Sequence, residues 1–308
     1  MFTIGRTATL AGKAGFCWGV KRAIDGAMGA KEIRGKSDKP FFVLGSLVHN
    51  AIAVRDLEEN GIRVAEHAEE AKGSTLFITA HGRDPEDITR AKEILGEKQV
   101  IDMTCPIVKN LHAMALELKQ EGRKMVLIGI RSRYHAEVAG TVGVLEKEVC
   151  VVESPEDVQT VPYGMHEPIG VVNQTTFNTE VIERILEALR ARYENVRYIP
   201  TMCDDILQKQ AELRERGRAF DTVLVIGDRK SANSTHLAEI AEKELHKPTL
   251  FLLTEAELLP EHLNGMRHVF VAAGASSPQS SIEGVMNKLG TFGFVRDDAW
   301  DVHKSQSQ

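Results

Sequence analysis

Residues 102–108 read Asp-Met-Thr-Cys-Pro-Ile-Val, and the cysteine in this stretch is one of three that divide the chain into similar thirds. Cys105 stands close to midway between Cys17 and Cys203. Pro106 suits the first position of a helix, and apolar residues then recur at helical spacing. Helical patterns also follow the other two cysteines. The repeat therefore predicts that each of the three cysteines lies at a helix N-terminus.

Each third of the chain also contains two short apolar segments that run into polar loops. Continuous apolar strands that alternate with helices are typical of parallel α/β sheets. In such sheets, ligands bind outside the carboxyl ends of the strands. We therefore expect an α/β fold of three lobes, whose cysteines and polar loops converge on one centre. The predicted strands are 41–44, 76–79, 125–128, 169–172, 222–226 and 268–271.

Length, composition and charge exclude several classes of protein. The chain has 308 residues, 43% of them hydrophobic and 27% charged, which is typical of a globular protein of two or three domains. Its net charge of −6 gives no general attraction for nucleic acid. No apolar run is long enough to cross a bilayer, and Met1 to Leu10 resembles a strand rather than a signal peptide. We expect a cytoplasmic protein that binds neither nucleic acid nor membrane.

The four cysteines are not expected to form a disulfide framework in such a protein. Three thiolates can hold three irons of a 4Fe–4S cluster and leave the fourth iron open to a substrate oxygen. A helix N-terminus beside each sulfur favours the thiolate. Zinc is the competing metal, although structural zinc sites usually contain close ligand pairs, which this sequence lacks. Cys150 lies in an apolar stretch and is expected to be a small buried hydrophobic residue.

The polar loops carry donors that suit a small anion such as a diphosphate. The loop 227–234, which enters a predicted helix over 235–244, is the best single anion site. Glu137 could deliver a proton to a leaving hydroxyl group, although a solvated loop acid is the simpler interpretation of that residue alone. An N-cap is likewise the simpler role for each serine or threonine, and core packing for Trp18. The candidate anion ligands are His49, His81, His135, Thr175, Ser231, Asn233 and Ser276.

These segments, taken in order, resemble the 4-hydroxy-3-methylbut-2-enyl diphosphate reductase family, which catalyses the last step of the non-mevalonate isoprenoid pathway. No single segment decides the resemblance, but the ordered set is specific. The matching segments are 14–23, 48–50, 80–82, 102–108, 135–143, 174–178, 231–234 and 273–276.

The resemblance implies a trefoil of three pseudo-threefold-related α/β lobes, each with a small, mainly parallel sheet. Lobe 1 would be 15–104, lobe 2 would be 105–201, and lobe 3 would be 202–297 together with 1–14. At the centre it implies one 4Fe–4S cluster with one iron that lacks a protein ligand. The ligands of this cluster would be Cys17, Cys105 and Cys203.

The resemblance also implies a reaction, the two-electron reductive dehydroxylation of the hydroxy-allylic diphosphate to isopentenyl and dimethylallyl diphosphate. Ferredoxin or flavodoxin would supply the electrons. Glu137, aided by Thr175, would be the proton source. The substrate diphosphate would be bound by His49, His81, His135, Ser231, Asn233 and Ser276.

Several residues depart from the usual family pattern. The loop 129–138 is two residues longer, lacks the first of two histidines and has Ala136 where proline is usual. Ala232 replaces the second of two paired serines. After the third cysteine, Ile206 and Lys209 stand where threonine and arginine are common.

These departures define an alternative, a divergent paralogue that uses the same three-cysteine cluster on a different small substrate. Arg131 and Arg133 fit this alternative because they add positive charge near the expected acid. A third hypothesis is a non-catalytic iron–sulfur sensor. Glu137 and Thr175 count against it, because a sensor has no use for a placed proton donor.

Overall fold

Thirteen strands and nine α-helices alternate in the part of the chain that the computed structural model describes, which is residues 5–34, 40–131 and 135–297. Runs of branched and aromatic residues form the strands, as their propensities favour. The strands are β1 (Arg6–Leu10), β2 (Phe41–Leu44), β3 (Ile62–Ala65), β4 (Leu76–Ile78), β5 (Val100–Asp102), β6 (Lys124–Ile128), β7 (Val149–Val152), β8 (Ile169–Asn173), β9 (Val196–Tyr198), β10 (Thr222–Ile226), β11 (Thr249–Leu252), β12 (His268–Ala273) and β13 (Phe294–Arg296).

The helices begin where capping residues or helix-starting residues stand. Asp84 caps one helix by accepting a hydrogen bond from the amide of Glu86 at 2.9 Å, and Pro85 follows it at the first helical position. The helices are α1 (Trp18–Arg34), α2 (Ala51–Glu59), α3 (Pro85–Leu95), α4 (Pro106–Gln120), α5 (Ala136–Val144), α6 (Thr179–Arg192), α7 (Asp204–Arg216), α8 (Ala232–Glu239) and α9 (Gln279–Thr291). No helix in the described ranges is both long and apolar enough to cross a membrane.

The chain divides into two compact units. The first contains the residues up to Trp18, the segment His49–Arg55 and the chain from Asp204 onward. Its five-stranded sheet has the order β11-β10-β12-β1-β13, and every pairing is parallel. The N-terminal strand β1 is therefore an interior strand between two strands from the C-terminal third. Buried apolar residues from β10, β12 and α9 form the core of this unit.

The second unit consists of Gly19–Val48 and Asp56–Cys203 and contains two four-stranded sheets. Their orders are β3-β2-β4-β5 and β7-β6-β8-β9, again with parallel pairing throughout. The central strands are buried on both faces, as Leu76, Phe77 and Ile78 of β4 illustrate with no exposed surface. Three small parallel sheets with flanking helices confirm the predicted α/β fold class. The lobe boundaries stay a prediction.

The two four-stranded sheets share one topology, and the five-stranded sheet repeats it from β11 to β12, with β1 in the position that β5 and β9 occupy in the others. Each sheet contains an adjacent pair of strands at which the strand order reverses, so that further strands are added on both sides of the pair. These pairs are β2 and β4, β6 and β8, and β10 and β12. In open α/β sheets, ligands bind outside the carboxyl ends of the strands at such a switch point. The six predicted polar loops follow these six central strands. The fold therefore gives each loop a position that is suited to binding.

Three details differ from the sequence-based expectations or lie outside the structure. The helix predicted over 235–244 begins earlier, at Ala232, because Ser231 serves as its N-cap, and it continues beyond Glu239 as a π-helical turn. Trp18 is 61% exposed, so core packing was wrong for it: as the first residue of α1, it has neighbours on one side only. The lengthened loop at 132–134 and the tail beyond 297 lie outside the described residues.

Candidate active site

Each of the three predicted cluster cysteines is held by the same backbone hydrogen bond. The cysteine amide donates to a carbonyl in the loop after the second central strand of a sheet. In every case the cysteine is half-buried and is not in a disulfide, and the next residue begins a helix. The placement of the three cysteines at helix N-termini is thereby confirmed. The donor and acceptor residues are Cys17 and Ala275 (3.0 Å), Cys105 and Ala80 (2.9 Å), and Cys203 and Thr175 (3.0 Å).

Glu137 is a buried acid rather than a solvated one. It lies in the first turn of α5 and is 1% exposed. Thr175 holds both carboxyl oxygens: its amide donates to Oε1 at 2.5 Å and its hydroxyl donates to Oε2 at 2.9 Å. The structure thus brings together the two residues that the sequence predicted as a proton source and its aide.

Burial raises the pKa of the Glu137 carboxyl from 4.5 to about 7, although the two hydrogen bonds from Thr175 act in the opposite direction. Desolvation penalises the charged form of a carboxyl group. A carboxyl group with a pKa near neutrality is suited to general acid catalysis, because it keeps a proton at neutral pH and can still release it. The geometry therefore gives Glu137 the properties of a proton donor.

Two predicted histidine ligands lie close to each other in the second unit. The rings of His81 and His135 meet edge to face with 6.4 Å between their centroids. His135 is buried, and its Nε2 lies 3.1 Å from the side-chain nitrogen of Gln174. Gln174 also donates to Thr176 at 3.0 Å and accepts from the amide of Ile130 at 3.0 Å. The sequence analysis missed Gln174 as a residue that orients His135, although it stands beside Thr175 in a matching segment.

In the first unit, the segment that begins at His49 is hydrogen-bonded to loops of the five-stranded sheet. The hydroxyl of Ser276 donates to the His49 carbonyl at 3.1 Å. Asp228 accepts from the amide of Ala51 at 3.1 Å. Burial lowers the pKa of the His49 imidazole; Asp228 partly opposes this effect, and Lys230 adds to it. The imidazole of His49 can donate a hydrogen bond to an anion.

Ser231 and Asn233 open α8, where helix amides favour an anion. Ser231 accepts from the amide of Ser234 at 3.4 Å, so its N-cap role is real. Asn233 is 3% exposed, and neither polar atom of its amide has a hydrogen-bond partner within the described part of the chain. A buried amide without partners is costly, by about 1–3 kcal/mol. Such an orphaned amide is expected where a ligand supplies the missing hydrogen bonds.

Close approach of two loops to α8 depends on glycine. A Cβ atom at Gly227 would lie 2.2 Å from the hydroxyl oxygen of Ser234, and one at Gly274 would lie 1.9 Å from the same atom. Neither position can accept a side chain without displacing Ser234. The loops after β10 and β12 are thus packed directly against the first turn of α8, where Asn233 lies.

The three thiols fit a 4Fe–4S cluster by the chemistry of the donor set. Thiolates are the usual protein ligands of such clusters, and the helix N-terminus after each cysteine favours the thiolate. Cys150 differs from them, because it lies within β7 and packs against apolar neighbours, and burial raises the pKa of its thiol. Among the residues that the structure describes, no three side chains of His, Cys, Asp or Glu are gathered closely enough to hold a single metal ion.

Three parallel sheets, each tied to a cysteine at the start of a helix, and a buried acid of raised pKa indicate an α/β enzyme. Comparison with known proteins identifies the family within this class. The family model described as LytB protein matches residues 8–290. Since this match spans most of the chain, the protein belongs to the LytB family.

Relatives of this chain carry the name 4-hydroxy-3-methylbut-2-enyl diphosphate reductase. That of Anaeromyxobacter sp. (strain Fw109-5) is 36% identical over 281 residues, which cover 91% of this chain and 95% of the relative. That of Aquifex aeolicus (strain VF5) is 35% identical over 286 residues, with coverage of 91% and 94%. The family resemblance predicted from the ordered segments is therefore confirmed.

Solved structures agree with these relatives. The E-1-hydroxy-2-methyl-but-2-enyl-4-diphosphate reductase from Plasmodium falciparum superposes with a TM-score of 0.86 at 25% identity, covering 98% of this chain and 96% of that one. A structure described as (E)-4-hydroxy-3-methyl-but-2-enyl diphosphate reductase, the terminal enzyme of the non-mevalonate pathway, gives a TM-score of 0.65 at 33% identity, with coverage of 93% and 99%.

Proposed function

We propose that this protein is a 4-hydroxy-3-methylbut-2-enyl diphosphate reductase. In this reaction the substrate takes up two electrons and two protons, its allylic carbon–oxygen bond breaks, and the hydroxyl group leaves as water. The products are isopentenyl and dimethylallyl diphosphate. The observation that carries the proposal is the buried Glu137 carboxyl, held by Thr175 with a pKa of about 7, in a chain of the LytB family.

Cys17, Cys105 and Cys203 would hold one 4Fe–4S cluster with one iron free of protein ligands. When bound, this group supplies electrons and a Lewis acid for the substrate oxygen. The sequence has no dinucleotide-binding fingerprint, and we assign the electron supply to ferredoxin or flavodoxin.

The side chains of this chain would divide the remaining tasks. Glu137 holds a proton at neutral pH and gives it to the leaving hydroxyl group, while Thr175 fixes the direction of the carboxyl group. Imidazole rings, hydroxyl groups and the Asn233 amide supply hydrogen bonds to the diphosphate. The hydroxyl of Ser276 must rotate away from the His49 carbonyl to join them. The proposed diphosphate ligands are His49, His81, His135, Ser231, Asn233 and Ser276.

The test is anaerobic reconstitution with iron and sulfide, followed by turnover of the hydroxy-allylic diphosphate with a reduced viologen. We expect both isopentenyl and dimethylallyl diphosphate. Cys17→Ser, Cys105→Ser and Cys203→Ser each lose cluster, whereas the control Cys150→Ser keeps it. A fully loaded protein that leaves this diphosphate unchanged would refute the proposed substrate and favour the paralogue that acts on another small molecule.

A further inference from the structure

The loop that carries Cys17, between β1 and α1, contains neither helix nor strand. Between β1 and α1 the chain forms turns, and Gly15 adopts a φ of 92°, in the left-handed region. Within the loop, the amide of Ala14 donates to the carbonyl of Ala11 at 3.1 Å. The position of Cys17 therefore depends on contacts that other elements make with this loop.

Helix α7 makes those contacts from the other end of the chain. The carboxylate of Glu212 accepts from the amide of Gly12 at 2.8 Å and from the amide of Lys13 at 3.2 Å. The ammonium group of Lys209 donates to the carbonyl of Gly15 at 3.0 Å and also to the carbonyl of Lys13. Two side chains one helical turn apart thus bind amides and carbonyls of the same loop.

Lys209 is an unusual lysine because it is 5% exposed. Lysine is almost never buried unless it is paired. Its carboxylate neighbour, Asp205, lies 3.5 Å away and is partly exposed, and Glu212 is itself paired with Arg216 at 2.5 Å. Burial lowers the pKa of the Lys209 ammonium group, whereas Asp205, and after it Cys17, act to raise it.

We propose that Lys209 is a positioning residue for the Cys17 loop: it fastens the loop to α7 through two carbonyls and places a buried positive charge against the Gly15 carbonyl, two residues before Cys17. This inference rests on the proposed role of Cys17 as a cluster ligand. Groups that hold a metal ligand in place are worth roughly 10-fold to 100-fold in metal affinity. A nearby positive charge also raises the reduction potential of an iron–sulfur cluster, because reduction adds negative charge.

The test compares variants of Lys209 in the reconstituted protein. Lys209→Met keeps the length of the stem and removes both the charge and the donors; Lys209→Arg keeps the charge and the donors. We expect the methionine variant to retain cluster roughly 10-fold to 100-fold less well against an iron chelator and to have a more negative midpoint potential. The arginine variant is expected to stay near the parent in both measurements.

Two further variants separate charge from fastening. Lys243→Met removes an exposed lysine of the same unit, whose side chain is 69% exposed, and we expect it to change neither measurement. Glu212→Gln weakens the same loop contacts while removing a negative charge. It therefore loses cluster faster, as Lys209→Met does, but does not share its negative shift in potential. Should Lys209→Met fold poorly, Lys209→Gln tests the loss of charge with a donor retained.

Both readouts are independent of turnover. If the parent binds a cluster through Cys17 but does not reduce the diphosphate, the proposed function fails while the role of Lys209 is still measured. The inference is overturned if the methionine and glutamine variants hold their cluster as long as the parent and have the potential of the parent.

Discussion

Replacing Glu137 by glutamine tests whether burial has made this residue the proton donor. Its carboxyl group is 1% exposed, and its pKa is about 7 instead of 4.5. At pH 7 about half of the molecules carry the proton, compared with roughly one in 300 for a carboxyl group of ordinary pKa. Burial therefore increases the supply of the acid form by a factor of about 150 at neutral pH.

Glutamine preserves the shape of the site and removes the proton. Its amide oxygen can still accept from the Thr175 amide, and its nitrogen can donate to the Thr175 hydroxyl. We expect Glu137→Gln to load cluster normally and to lose about 10²-fold to 10⁴-fold in kcat. That loss corresponds to about 3–5 kcal/mol in the activation barrier. The measurement is kcat of equally loaded parent and variant on both sides of pH 7.

The sign of the pH dependence is fixed by the role. An acid must be protonated to act, so the activity of the parent falls as pH rises through about 7, and the variant lacks this limb. The free energy of unfolding depends on pH in the same direction, because a carboxyl group with a raised pKa stabilises the fold below about pH 4.5. This contribution, about 3 kcal/mol in total, is lost as pH rises through about 7. A variant with the kcat and the alkaline limb of the parent would refute the reasoning.

Three other substitutions test neighbouring claims. Thr175→Val removes the hydroxyl bond that lowers the pKa of the buried acid, so the alkaline limb of kcat moves to higher pH, whereas Thr175→Ser leaves it in place. Asn233→Ala weakens binding of inorganic pyrophosphate in calorimetry without lowering the melting temperature, because no hydrogen bond within the described residues is lost. Gly143→Ala places a Cβ 2.7 Å from Asp84, and we expect it to lower the free energy of unfolding, measured with denaturant, by about 1–3 kcal/mol. The control Gly29→Ala has open space around its Cβ and is not expected to destabilise the protein.

The elements of this fold were predictable because their signals are local. Continuous apolar runs gave the six central strands, and Pro106 gave the start of α4. The start of α8 was predicted too late. Serine and asparagine favour caps and turns over helix interiors, so the run Ser231 to Ser234 resembled a loop although it holds the cap and first turn.

The parts that were missed depend on contacts between distant segments. Lys209 and Glu212 resemble the solvated face of a helix, and nothing near them in sequence reveals that they bind a loop close to the N-terminus. The burial of Glu137 is equally invisible, because it requires Thr175 from another strand end. Trp18 was misjudged for the converse reason: a large aromatic side chain favours the core, but its place at the first position of α1 leaves it exposed.

Backbone hydrogen bonds hold the cysteines of this site, whereas side chains would bind the anion. This difference explains how departures from the family pattern can coexist with retained cysteines. One tether of each cysteine is a hydrogen bond from its own amide to a loop carbonyl, and this bond does not involve the side chains of that loop. The Cys17 loop has further contacts, with the side chains of Lys209 and Glu212. In the proposed function, the hydrogen bonds offered to the diphosphate depend on side chains such as those of Asn233 and His49. A change such as serine to Ala232 would therefore alter the proposed anion site and leave the bond from the Cys17 amide to the Ala275 carbonyl intact. We expect cluster retention and substrate choice to be separable, and each requires its own measurement.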